Sequence, residues 1–219
     1  MNDLRAEALA VTYDDLVALQ PLDLTVRPGQ LVSVTGPSGA GKSTLLWALA
    51  GALRPTGGSV HLGGTALVDR EQAAGLGVVV VPQGNGLASS LTAAENIVVP
   101  LLSQGVDAEE AHRRTEEALA AVGLEESGNH LIEELSGGQQ QRVAIARALA
   151  ARADVLLADE PTSDLDAANR EKAVAALRVE AIRGAIVVMA THDPEAAEQT
   201  DAELHLDAGV AQWRRPLTG

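Results

Sequence analysis

The chain has 219 residues, no cysteine and a formal net charge of −14 at pH 7. Without cysteine there is no disulfide, thiolate metal site or iron–sulfur ligation, and so acidic a chain lacks the basic surface that nucleic-acid binding requires. With no Phe, one Tyr and two Trp, the core must be aliphatic. No apolar run approaches the roughly 18 residues of a membrane-spanning helix, so we expect any membrane span to come from another chain.

Two kinds of strand are predicted. Apolar and polar residues alternate in segments 9–13 and 22–27, which predicts half-exposed antiparallel strands. Continuous apolar runs instead predict strands buried on both faces, as in a parallel sheet covered by helices. These runs are residues 31–35, 78–81, 155–158 and 185–190. Strands that alternate with helices, including an apolar helix at 45–53, predict an α/β architecture.

The strand signals stop between about residues 87 and 134. Asp107 is a candidate N-cap, with Glu110 in the capping-box position, and the apolar face that follows ends at Gly123. Asp166 is the candidate cap of a later helix that ends at Gly184. We therefore predict one domain over residues 1–219. In it, a helical subdomain (about 87–144) is inserted into a core formed by about 1–86 and 145–219.

Residues 36–44 form a phosphate-binding loop, G-x-x-x-x-G-K-[ST], between a predicted strand and a predicted helix. Its glycines allow tight turns that point backbone N–H groups at an anion, and the helix N-terminus adds positive potential. Lys42 supplies a cation for the β- and γ-phosphates, and the Ser43 hydroxyl is suited to Mg²⁺. The predicted triphosphate site comprises Gly36, Pro37, Ser38, Gly39, Ala40, Gly41, Lys42, Ser43 and Thr44.

Two carboxylates, Asp159 and Glu160, follow the apolar run at 155–158. Ligands in open α/β sheets bind beyond the carboxyl ends of the strands, where the phosphate loop also opens. Asp159 can hold Mg²⁺ directly or through water, and Glu160 can orient and deprotonate an attacking water. The alternative is that both acids only cap the turn that follows.

Ser136, Gly137 and Gly138 begin another predicted helix. Ser136 is a good N-cap, and the two glycines leave backbone N–H groups accessible to an anion. The pattern therefore suits a second anion site, although a plain capped helix with glycines for close packing explains it equally well.

Five motifs occur in the order and spacing of an ABC-type ATPase subunit, which the chain resembles from about residue 9 to its C-terminus. They are the phosphate loop, Leu-Ser-Gly-Gly-Gln at 135–139, the strand ending in Asp-Glu, Ser-Asp-Leu-Asp at 163–166, and Thr-His-Asp at 191–193. The resemblance implies a phosphate-loop NTPase with a RecA-like core, a mainly parallel sheet, an N-terminal antiparallel β subdomain and an inserted α-helical subdomain. It implies ATP and Mg²⁺ as ligands.

The resemblance also implies a second copy or homologous ATPase subunit, arranged head to tail. ATP would lie between the phosphate loop of one subunit and Ser136, Gly137, Gly138 and Gln139 of the other, with Asp164 at the interface. It further implies that Gln83 senses Mg²⁺ and the transmembrane partner, that His192 contacts the γ-phosphate, and that Tyr13 stacks on adenine.

Further strings, such as Leu-Thr-Ala-Ala-Glu-Asn from residue 91, are similar to those of lipoprotein-release and macrolide-export ATPases, and cell-division ATPases share them. The chain departs from that branch at Pro82, where an aromatic is frequent, and at Ser163 and Asp164, where Gly-Asn is usual.

This branch implies an integral membrane permease on a separate chain and a cytoplasmic location at the inner face of the cell membrane. A soluble ABC ATPase without a permease, such as an Fe–S cluster assembly ATPase, remains an alternative. An adenylate-type kinase would leave residues 135–139 unexplained.

Overall fold

The computed structural model describes residues 2–217. Its strands are β1 (Leu4–Tyr13), β2 (Leu16–Val26), β3 (Leu31–Thr35), β4 (Gly57–Leu62), β5 (Thr65–Ala66), β6 (Val78–Val81), β7 (Val155–Asp159), β8 (Ile186–Ala190), β9 (Ala202–Asp207) and β10 (Val210–Arg215). Its α-helices are α1 (Lys42–Leu49), α2 (Arg70–Gly75), α3 (Ala93–Ser103), α4 (Ala108–Ala121), α5 (Gly137–Ala150), α6 (Ala167–Ile182) and α7 (Pro194–Glu198). None of the helices within this range is long and apolar enough to cross a membrane.

A six-stranded sheet of order β10-β9-β3-β8-β7-β6 forms the centre of the molecule. All its neighbouring pairs are parallel except β10 with β9. The four continuous apolar runs are strands of this sheet, and the prediction of a mainly parallel sheet is confirmed. Successive residues face opposite layers: Leu156 belongs to the core formed with α3–α6, and Leu157 to the core formed with α1.

A second sheet, of order β2-β1-β4-β5, is antiparallel as predicted. Its inward side chains, such as Leu4, Leu19 and Leu24, are almost fully buried and share a core with Leu45 of α1. This sheet therefore packs over the helix that follows the phosphate loop. That helix covers Lys42–Leu49 rather than the predicted 45–53, because the chain turns at Gly51 with φ +66°.

Helices α3 and α4 lie within the region predicted to be a helical subdomain, whereas α5 begins there and continues to Ala150, past the predicted boundary at about 144. Asp107 caps α4, but the expected capping box with Glu110 is wrong, since the Asp107 carboxylate accepts from the Glu109 N–H at 2.9 Å. Glu110 instead accepts from Arg114 at 2.6 Å and from Arg113 at 2.9 Å. These bonds lower the pKa of Glu110 to about 2. The Glu110 carboxylate thus pairs with two arginines of its own helix and does not cap the helix N-terminus.

Candidate active site

The phosphate loop connects β3 to α1 and is shaped by backbone positions that only glycine fits. Gly36 has φ +142°, and a Cβ there would lie 2.1 Å from the carbonyl oxygen of Leu206 in β9. Gly41 has φ +102°, and its Cβ would lie 2.5 Å from the carbonyl oxygen of Ala18 in β2. The phosphate loop therefore packs closely against β9 and β2, and this packing leaves no room for a side chain at Gly36 or Gly41.

Substituting Gly36 by Ala is expected to destabilise the fold by about 2–4 kcal/mol, because overpacking and positive-φ strain add. The matched control is Gly75→Ala at the end of α2, where an added Cβ meets nothing within 4 Å. Thermal or urea unfolding measures both variants. Equal stability of the two would contradict the contact between Gly36 and Leu206.

Lys42, Glu160 and His192 form a connected group at the ends of β3, β7 and β8. The Lys42 ammonium donates to the carbonyls of Gly36 at 2.9 Å and Pro37 at 3.2 Å, and lies 3.4 Å from Glu160 Oε1. Glu160 Oε2 accepts the backbone N–H of His192 at 3.2 Å and lies 2.8 Å from its Nδ1. Lys42 and Glu160 are both buried, which strengthens their attraction relative to a surface pair.

The backbone of Glu160 has φ +50°, which is uncommon for a residue other than glycine. Its N–H donates to the Ala190 carbonyl at 2.9 Å, and this bond anchors the turn to β8. The strained turn directs the carboxylate sideways toward Lys42 and His192. Such strain persists where the surrounding structure holds it, and it concentrates at functional sites.

Asp159 lies behind the phosphate loop with a carboxylate oxygen, Oδ1, that is buried and without a hydrogen-bond partner. Burial raises the pKa of Asp159, while the neighbouring Ser43 hydroxyl and the Lys42 charge lower it. A buried, unpaired carboxylate oxygen beside a hydroxyl suits a hard cation with oxygen ligands. Within residues 2–217 no group of three His, Asp or Glu side chains could hold a metal by itself. A cation here would therefore depend on oxygens from the nucleotide and from water.

A cavity of about 720 Å³ opens above the phosphate loop. The predicted residues that line it are Tyr13, Ser38, Gly39, Gly41, Lys42, Ser43, Thr44, Gln83, Glu160 and His192. The size suits a nucleotide, since small-molecule sites span roughly 300–1,000 Å³. Gly36, Pro37 and Ala40 complete the loop outside the lining. Tyr13 is 46% exposed at one edge of the cavity, which leaves its ring accessible for stacking.

Five further residues line the cavity that no sequence motif indicates: Leu16, Val17, Ala18, Ala208 and Gly209. They come from the β1–β2 hairpin and from the turn between β9 and β10. Gly209 donates to the Ala40 carbonyl at 3.2 Å, and its own carbonyl accepts from the Gln20 N–H at 2.9 Å. The turn between β9 and β10 thus contacts the phosphate loop through backbone atoms. A side-chain motif cannot predict such a contact.

Gln83 enters the cavity from the segment after β6, which α5 holds in place. Arg147 of α5 donates to the carbonyls of Asn85 at 2.9 Å and Gly86 at 2.7 Å. Burial lowers the pKa of Arg147, consistent with a guanidinium enclosed between the two segments. The helix that begins at the Leu-Ser-Gly-Gly-Gln string is therefore tied directly to the loop that carries Gln83.

Ser136, Gly137, Gly138 and Gln139 do not line this cavity, and neither does Asp164. Ser136 caps α5 in a full capping box: its Oγ accepts the Gln139 N–H, and Gln139 accepts the Ser136 N–H at 2.9 Å. A Cβ on Gly138 would lie 2.9 Å from the Asp164 carbonyl, so the two strings adjoin each other. The capped start of α5 therefore lies outside the cavity that the phosphate loop of the same chain forms.

The sequence profile described as ABC transporter matches residues 19–163, which is most of the chain. The chain belongs to the ABC transporter family. It is therefore an ATPase whose nucleotide is ATP, and Mg²⁺ is general for such ATPases.

Individual relatives of this ABC ATPase match most of its length. The lipoprotein-releasing system ATP-binding protein LolD of Chromohalobacter salexigens is 40% identical, over 94% of this chain and 91% of its own length. An uncharacterised ABC transporter ATP-binding protein of Mycobacterium tuberculosis is 42% identical, over 99% of this chain and 68% of its own length. Among solved structures, a dimeric post-hydrolysis state of an ATP-binding cassette bound to ADP and Pi has a TM-score of 0.90 and 34% identity, and 99% of each chain is covered. The predicted fold class is confirmed.

Proposed function

We propose that this ABC ATPase is the ATP-binding and ATP-hydrolysing subunit of a transporter complex of the lipoprotein-release and macrolide-export type. It dimerises on ATP and drives conformational change in a separate membrane permease. The observation that carries the proposal is the division of the predicted site residues: one cavity gathers Lys42, Glu160 and His192, while the capped start of α5 lies outside it. The LolD relative supports the branch.

Within one chain, the phosphate loop binds the triphosphate, with Lys42 on the β- and γ-phosphates. Ser43, Asp159 and Gln83 would hold Mg²⁺, which when bound neutralises charge on the phosphate oxygens. Tyr13 stacks on adenine at the open edge of the cavity.

Glu160 acts as the general base for the attacking water, and His192 contacts the γ-phosphate. Because one Glu160 oxygen is held by His192 and the other faces Lys42, the carboxylate is fixed in direction before water arrives. Fixing the base lowers the entropy cost of in-line attack on the γ-phosphate.

The other half of the site comes from a second copy or a homologous subunit. In this proposal Ser136, Gly137, Gly138 and Gln139 approach the γ-phosphate held by the partner's loop, with Asp164 at the interface. The dimeric neighbour bound to ADP and Pi supports this arrangement. A monomer would then bind ATP and hydrolyse it poorly.

The permease would dock on a groove of about 360 Å³ between α2, β6, α3 and α5. Its lining includes Pro82 and Gly86 beside Gln83, and Leu101 of α3. Val99 and Leu102 of α3 are 48% and 42% exposed, so α3 presents apolar surface to a partner. We place the protein at the inner face of the cell membrane through this contact. We also propose that residues of about 87–144 act as a subdomain that transmits the motion.

Affinity purification from membranes tests this proposal. An integral membrane protein should co-purify with the wild type and be lost with Leu102→Glu, which introduces a charge on α3 without touching the ATP cavity. Ile182→Glu is the matched control, because Ile182 is 76% exposed at the end of α6, which does not line the groove. Capture of soluble scaffold proteins without any membrane chain would favour a soluble ABC ATPase and contradict the permease.

A further inference from the structure

Arg170, in the first turn of α6, forms a partly buried ion pair with the residue that follows His192. Its Nε lies 2.8 Å from Asp193 Oδ2, with the two side chains 23% and 17% exposed, and its Nη1 also pairs with Glu195. Contacts of this kind, charged and partly screened from water, are stronger than most surface ion pairs.

Asp193 uses its other oxygen to begin α7. Its Oδ1 accepts the N–H of Glu195 at 2.9 Å, and its own N–H donates to the Thr191 hydroxyl at 3.0 Å. Helix α7 has five residues, too few to be stable without such contacts. The orientation of the chain at His192, whose N–H and ring both contact Glu160, therefore depends on the Asp193 carboxylate and on what holds it.

The backbone of Arg170 is connected to the segment 162–166. The Arg170 N–H donates to the Asp166 carbonyl at 2.8 Å, and Asp166 caps the helix through the Asn169 N–H at 2.8 Å. Upstream, the Ser163 N–H donates to the Glu160 carbonyl at 3.3 Å. An open cleft of about 530 Å³ lies between this segment and residues 192–195, and Arg170 lines the cleft together with residues of both segments.

We propose that Arg170 is a positioning residue for ATP hydrolysis. By holding Asp193 it fixes His192 against Glu160, and through the first turn of α6 it links that contact to the segment 162–166. The inference rests on the proposed roles of Glu160 and His192. Arg170 does not line the ATP cavity, so we expect its effect to fall on turnover and not on ATP binding.

The test compares Arg170→Met with Arg178→Met in the intact chain. Methionine keeps much of the side-chain length but removes the charge. Arg178 is a matched control, because it lies on the same helix as Arg170 and pairs with a different carboxylate, that of Asp201, at 2.7 Å. We expect Arg170→Met to lower kcat about tenfold with the KM for ATP changed less than about twofold, because only the geometry of the reacting groups is disturbed. Arg178→Met should keep wild-type kcat, and Arg170→Lys should recover most of the loss.

A double-mutant cycle with His192→Ala shows whether Arg170 acts through His192. Under single-turnover conditions with excess enzyme, Arg170→Met should change the rate of the His192→Ala protein by less than about twofold. A wild-type kcat for Arg170→Met, or a full tenfold loss in the His192→Ala background, would overturn the inference alone. A wild-type kcat for His192→Ala would instead overturn the proposed role of His192 and this inference with it.

Discussion

Replacing Glu160 by Gln is expected to lower steady-state ATP hydrolysis about 10²- to 10⁴-fold, the usual contribution of a general base. The amide keeps the size of the carboxylate but cannot take a proton from water. It also loses the attraction to Lys42, whose ammonium lies 3.4 Å from Glu160 Oε1. ATP binding should persist, because the phosphate loop is unchanged, so the variant should accumulate with ATP bound.

The matched control is Glu180→Gln, which changes another buried glutamate. Glu180 is 6% exposed, near the 7% of Glu160, and pairs with Arg183 at 2.8 Å outside the ATP cavity. Phosphate release and nucleotide binding are measured on both variants at equal folded fraction. Wild-type turnover by Glu160→Gln would show that another group is the base.

Replacing Lys42 by Ala should weaken ATP binding about 10- to 100-fold, since a hydrogen bond to a charged group contributes about 1.5–3 kcal/mol. In the structure, two loop carbonyls and the Glu160 carboxylate hold the Lys42 ammonium near the N-terminus of α1. The remaining backbone N–H groups and helix terminus would still attract a phosphate, but without a full positive charge. Titration with a fluorescent ATP analogue measures the loss.

Lys172→Ala is the control for Lys42, because it removes the one other lysine of the chain, on α6 and outside the ATP cavity. Its ATP affinity should match the wild type. Since Lys42 is also the buried partner of Glu160, thermal unfolding of both variants shows how much of the effect is loss of structure. Unchanged affinity in a folded Lys42→Ala protein would contradict the proposed phosphate contact.

Most of the fold could be predicted because its signals are local. Buried parallel strands need apolar residues on both faces, so β6, β7 and β8 appear in the sequence as apolar runs, and β3 as an apolar run interrupted by the buried Ser33. The caps Asp107 and Asp166 were found for the same reason, since each acts on the next turn of chain. The Glu110 capping box was wrong because arginines one turn later, Arg113 and Arg114, compete for that carboxylate.

The site was predicted in its parts but not in its connections. The phosphate loop, Asp159 and Glu160 could be predicted because each lies at the end of a buried strand or directly after one. The contacts among Lys42, Glu160 and His192 could not, because they depend on β3, β7 and β8 lying side by side in the sheet. The backbone contacts of Ala18, Leu206 and Gly209 with the phosphate loop leave no side-chain pattern at all.

Completion of the ATP site by a second chain can be tested by sedimentation velocity of Glu160→Gln with saturating ATP. We expect a dimer with ATP and a monomer without it. Adding Ser136→Glu should return the protein to a monomer that still binds ATP, because a carboxylate is tolerated at a helix N-terminus but repels the partner's γ-phosphate. A protein that stays monomeric with ATP, or a dimer that Ser136→Glu does not weaken, would contradict the composite site.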